Sequence, residues 1–203
     1  MRLLTFTLIL TIAVAGCQQP GPKSSNLTTN GTDETVATDV NYFTKLRFDT
    51  ANAPGFNPFW KTEPDREKVV AAYRAGQIDK FFPLADAWLK RMPIDADVHL
   101  MEAMCYKEEG RLANMCQQLN VFYGLLGSIT AGGDGLSKPT AFKVVSTEEE
   151  YSLVQEIGGQ VTKQSLDGGF DRLEVERRGG ITLVLYFDLS FEMKAEAKAL
   201  GQK

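Results

Sequence analysis

From Ile181 to Phe191 every second residue is apolar: Ile181, Leu183, Leu185, Phe187, Leu189 and Phe191. Period two sends all six side chains to one face of an extended strand. Such a strand is stable only beside partners and under a cover. The stretch before it supplies a partner. Arg172 to Arg177 alternates, with Leu173 and Val175 on one face and Glu174 and Glu176 on the other, and Arg178-Gly179-Gly180 turns the chain between them as a hairpin. Val161 to Leu166 reads as a weaker strand, with Asp167-Gly168-Gly169 as the turn after it. The C-terminal part is therefore expected to be a mainly antiparallel sheet with one apolar face to bury.

Upstream the period changes to that of a helix. Tyr42, Phe43 and Leu46 predict a short helix ending near Asn52, and Phe56, Phe59 and Trp60 sit in a loop where aromatics cap a core. Thr62-Glu63-Pro64-Asp65 is a helix start with a hydroxyl, an early proline and acids at the positive end of the dipole. Gly76 and Gly110 then lie 34 residues apart, and the residues after these two glycines correspond: Ile78 with Leu112, Phe81 with Met115, Ala85 with Leu119, Trp88 with Phe122. Each set falls on one helical face. The period, Ala103-x-x-Tyr106-x-x-x-Gly110 and the closing Pro93 resemble tetratricopeptide hairpins over Pro64–Leu126, although Phe81 and Met115 stand where that family prefers small residues. Fewer than three such units rarely stand alone, so the sheet's apolar face is expected to cover their open side. The fold class predicted is α+β.

Ser128 to Tyr151 joins the halves. Gly132-Gly133-Asp134-Gly135 is a sharp turn, Ala141 to Val145 a short buried strand, and Ser146 and Thr147 open a helix with Glu149 and Glu150 in capping-box positions. Gly133, Asp134, Gly135 and Ser137 form a candidate binding loop. A phosphate loop is excluded, because the Gly-x-x-x-x-Gly-Lys spacing is missing and the order is helix–loop–strand. One Asp among glycines falls short of a calcium loop. Capping and the helix dipole account for Glu148-Glu149-Glu150. His99 has no second histidine with which to build a zinc site. No metal site or cofactor is expected, and no nucleophile–base–orienter set is found. Asp134, Asp171 and Asp188 are the acids a hydrolase would use if the fold gathered two of them in one cleft. Cys105 and Cys116 flank the Gly110 turn: an oxidising envelope allows a bridge, while helix packing at ~8–10 Å favours two small buried hydrophobes.

The first 40 residues obey other rules. Arg2 precedes an apolar run from Leu3 to Val14, too short to span a bilayer at ~20 residues but suited to a secretory signal. Val14-Ala15-Gly16-Cys17 resembles the lipobox of bacterial lipoproteins, which implies cleavage after residue 16 and acylation of Cys17. Gln18, in place of Asp, points to the outer membrane of a diderm by that family's sorting logic. The Gln/Pro/Ser/Thr-rich stretch beyond it reads as a flexible tether. The expected organisation is 1–16 signal peptide, 17–40 lipidated tether, 41–193 one globular domain (helical over 41–130, α/β over 131–193) and 194–203 a tail. Net charge is −4 and one unit lower without Arg2; with no basic run longer than two residues, nucleic acid is not an expected partner.

Gly133-Asp134-Gly135-x-Ser137-x-Pro139-Thr140-Ala141-Phe142-x-Val144-Val145-Ser146, with Glu149-Glu150-Tyr151 and Tyr186-Phe187-Asp188, resembles a bacterial envelope family catalogued as domain of unknown function 4919. The resemblance covers roughly Asn41–Phe191. It implies an envelope location and one domain joining helices to sheet, and it carries no catalytic residues. The expectation is a lipid-anchored, non-enzymatic envelope protein that meets the membrane through Cys17 and binds a protein or glycan partner, with a carboxylate-dependent hydrolase as the alternative.

Overall fold

The computed structural model describes residues 39–199. The expected signal peptide, Cys17 and nearly all of the tether lie outside the described residues, as do residues 200–203. The described chain is α+β, with helices α1 (Val40–Asn52), α2 (Pro64–Arg74), α3 (Ile78–Arg91), α4 (Ala96–Glu108) and α5 (Leu112–Thr130) first. Strand β1 (Phe142–Lys143), α6 (Thr147–Glu156), β2 (Gly159–Leu166), β3 (Phe170–Arg177), β4 (Ile181–Asp188) and α7 (Ser190–Ala199) come after them.

Asp39 opens α1 by accepting the Asn41 N–H. For α2 the start differs by one residue from expectation. Thr62 belongs to a 3-10 turn, where its hydroxyl bonds the Phe59 carbonyl, and Glu63 takes the cap position with Pro64 first in the helix. α2–α3 and α4–α5 pair as hairpins, and their turns are built alike. Gly76 and Gly110 both adopt positive φ (64° and 71°). In each, the residue after the glycine bonds back across the helix end: Gln77 N–H to Ala72 O at 3.0 Å, Arg111 N–H to Tyr106 O at 2.8 Å. Only a residue without Cβ takes that conformation cheaply. The corresponding positions also share a fate: Phe81, Ala85 and Trp88 are buried on α3, and Met115, Leu119 and Phe122 on α5. The first pair departs, since Leu112 is exposed. α1 lies along α5, where Gly124 leaves the space that the Phe43 ring fills.

The sheet has order β1-β4-β3-β2; β2, β3 and β4 form an antiparallel meander, and β1 runs parallel to β4. β4 stops at Asp188, short of the alternation's end at Phe191. Asp188 accepts the Ser190 N–H at 2.9 Å and so starts α7, which carries Phe191 away to pack on Phe48 of α1 at 5.1 Å between ring centroids. One core runs from Phe43, Trp60, Trp88 and Leu125 of the helical half to Val175 and Phe187 of the sheet. The halves meet chiefly through α6, which touches α4 and α5 as well as β2, and through β1 against α5. Among the described residues no helix is long and apolar enough to cross a membrane.

Candidate functional site

The Gly133–Ser137 loop spends its polar groups on itself and on the sheet. The Asp134 carboxylate accepts the Thr140 hydroxyl at 2.6 Å and the Leu136 N–H at 2.9 Å, bonds that hold it below the usual carboxylate range. Ser137 Oγ meets Thr140 Oγ1 at 2.8 Å. The Gly135 N–H donates to Thr140 O, and its carbonyl accepts the Tyr186 N–H, both at 2.8 Å, which ties the loop to β4. Two glycines answer to close approach: a Cβ on Gly133 would strike the Thr140 carbonyl, and one on Gly135, at φ 70°, the Phe142 ring.

The fold does not gather the three aspartates. Asp134 sits in its own loop, outside the sheet. Asp171 pairs with Phe187, and Asp188 with Phe170, so these neighbouring acids point to opposite faces of the sheet. Asp188 faces out and caps α7. Asp171 faces in, buried beside Leu173 and Val175. Asp171 and Asp188 therefore do not serve one cleft as the two carboxylates of a hydrolase.

What Asp171 meets instead is Glu150 of α6, with Glu192 of α7 close by. Glu150 is completely buried, and neither of its carboxyl oxygens receives a hydrogen bond from a donor in the described residues. Asp171 accepts Gln164 Nε2 at 2.5 Å, whose Oε1 in turn accepts the Tyr151 hydroxyl at 2.8 Å; Glu192 accepts the Thr147 hydroxyl at 3.1 Å. Burial, reinforced by the charges of Asp171 and Glu192, pushes Glu150 up to about 10. Among the described residues these acids are not arranged to hold a metal ion.

Capping describes only part of the Glu148-Glu149-Glu150 run. Ser146 does cap α6, accepting the Glu149 N–H at 3.4 Å, yet all three carboxylates are buried. Glu149 takes both forks of Arg47, at 2.7 and 2.6 Å, and the Val145 N–H at 2.9 Å. Glu148 lies 3.6 Å from Lys61, and burial raises its pKa. Nearby, Arg66 bonds Asp95 (2.6 and 3.2 Å) and Asp97 (3.0 Å). Asp95 also accepts the Trp88 indole N–H, and Asp97 the Ser152 hydroxyl. Burial and the neighbouring Asp95 raise Asp97. Between these groups Trp60, Leu125, Glu148 and Ser152 help to line a cavity of about 10 Å³, room for roughly one water. The indole N–H of Trp60 is buried there without a partner in the described residues.

On the surface, the Phe82 and Tyr106 rings stack at 4.6 Å, and the exposed Arg111 guanidinium lies 4.4 Å above Tyr106. Leu112, 59% exposed, follows Arg111 in the chain after the Gly110 turn. His99 is held between Gln118 Oε1 (2.7 Å) and the Pro93 carbonyl (3.1 Å). Cys105 is a free, buried thiol, so the Cys105–Cys116 bridge is corrected and Cys105 packs as a small hydrophobe. Sequence reasoning missed Arg47, although the signal was there: Phe43, Arg47 and Ala51 share the buried stripe of α1, and a cation on such a stripe demands a partner.

No curated protein and no solved structure matches the chain. A family model matches residues 31–198. The chain therefore belongs to the family described as Domain of unknown function (DUF4919).

Proposed function

We propose that this is a lipid-anchored cell-envelope protein that binds a protein or glycan partner through its helical hairpins and performs no catalysis itself. The observation that carries the binding reading is the Phe82–Tyr106–Arg111 stack with exposed Leu112 next in the chain. Aromatic rings and arginine are the groups that dominate binding energy at interfaces, and a guanidinium over a ring adds an attraction of its own. The matching turns at Gly76 and Gly110 support a degenerate tetratricopeptide-like hairpin pair, a scaffold that presents side chains on one surface. Anchoring rests on Val14-Ala15-Gly16-Cys17 behind a short apolar run, and the absence of Asp after the cysteine favours the outer membrane of a diderm. Acylated Cys17 is then the contact with the membrane, and the Gly133, Asp134, Gly135 and Ser137 loop a second surface feature near the sheet edge.

Two experiments test the reading. Wild-type protein, captured from detergent-solubilised envelope, is expected to bring down a stoichiometric partner that Arg111→Glu loses at unchanged melting temperature; equal recovery by the variant refutes the patch. Cys17→Ala is expected to release the protein on carbonate washing, and a variant that stays with the membrane refutes the anchor.

A further inference from the structure

Glu150, on the first turn of α6, is shut inside the protein against Asp171 of β3. Among the described residues the charged groups that raise it are acids: Asp171 from β3, Glu192 from α7 and Glu149 from its own helix. Arg47, the buried cation bound to Glu149, is taken up by that carboxylate, Ser128 and the Lys143 carbonyl. Two carboxylates in contact repel in a dry interior, and one carboxylic acid beside one carboxylate attracts through a short O–H···O bond. The available donors are already placed so as to leave that slot open: Gln164 serves Asp171 and Thr147 serves Glu192, while both Glu150 oxygens lack a donor in the described residues.

We infer that Glu150 keeps its proton and donates it to Asp171, and that this acid–carboxylate bond is a proton-held clasp joining α6 and the C-terminal helix α7 to the sheet, which loosens as the medium turns alkaline. Opening moves the Glu150 proton to water and leaves two hydrated carboxylates. Closing takes the proton back. The sign comes from the raised value: the clasp is firmest below the ordinary glutamate range and weakens steadily up to about pH 10, because the open form sheds a proton that the closed form retains. α7 takes part through Glu192, which accepts the Thr147 hydroxyl at the start of α6.

The test uses tryptic cleavage after Lys194, within α7, on the full-length chain, read by mass spectrometry for wild type and Glu150→Gln. Taking the ratio of the two rates at each pH cancels the protease's own pH response. The amide keeps a donor for Asp171 and cannot ionise, so the wild-type to variant ratio is expected to rise about tenfold per pH unit between pH 6 and 9. A ratio that stays flat overturns the inference. Carbon NMR of wild-type protein labelled at the glutamate carboxyls checks it without a variant. One glutamate still protonated at pH 8 is expected, and all of them ionised at pH 8 would also overturn it.

Discussion

Arg47 and Glu149, 102 residues apart in sequence, form a two-pronged ion pair at 2.7 and 2.6 Å with both side chains almost wholly out of water. The pair joins α1 to α6, and through Ser128 and the Lys143 carbonyl it also holds the end of α5 and the start of the sheet. Removing one partner strands a buried charge. Arg47→Met is expected to lower unfolding free energy by about 3–5 kcal/mol, and Arg47→Met with Glu149→Leu by clearly less than the two single changes added together. Urea denaturation of the four proteins measures both.

The glycines of the joining loop separate by position. Gly135→Ala must place a Cβ against the Phe142 ring at positive φ, and Gly133→Ala one against the Thr140 carbonyl, whereas Gly132 faces open space. Each of the first two substitutions is expected to cost roughly 1–3 kcal/mol. Gly132→Ala should shift the urea midpoint hardly at all.

How much of the fold was legible in the residues divides along the range of the interactions. The hairpin glycines, the strand alternation and the Ser146 cap are decided within a few residues, and the chain shows them openly. The buried state of Glu148, Glu149 and Glu150 is decided by Lys61, Arg47 and Asp171, which lie far away in sequence, so a first-turn reading stops at the cap. Alternation continued past the true end of β4 because Leu189 and Phe191 are apolar for another reason: the second packs on α1 from a helix. The opposite orientation of Asp171 and Asp188 becomes visible only once strand register is known.

Glu102 gives a second acid to titrate, independent of the clasp. It is buried on α4 with one carboxyl oxygen unpartnered in the described residues, and burial with the nearby Asp86 charge raises it to about 7. Because the folded value lies above the unfolded one, its contribution is fully present below about pH 4.5 and is lost as pH rises through about 7. Relative to wild type, Glu102→Gln is therefore expected to be more stable at pH 8 than at pH 4.5 by roughly 3 kcal/mol, read from the pH dependence of the two urea midpoints.

Burial pushes the Cys105 thiol up to about 11, with Glu108 and Glu109 adding to the effect. Little thiolate then exists at pH 8. A maleimide or disulfide reagent is expected to leave the Cys105 peptide unmodified in the native protein and to label it fully in urea. Modification of that peptide at equal rates in both conditions would contradict the buried thiol.

The place of β1 in the sheet bears on the order in which a newly made chain acquires its structure. β2, β3 and β4 succeed one another and pair as neighbours, but β1 waits beside α5 for β4, which follows the other described strands in chain order. The helical hairpins rest on local contacts and can assemble early. Their bond to the sheet is sealed only when that strand arrives, so a chain truncated before β4 would retain hairpins and expose an unfinished edge. Such a fragment is prone to aggregate, so the burial of that edge depends on β4.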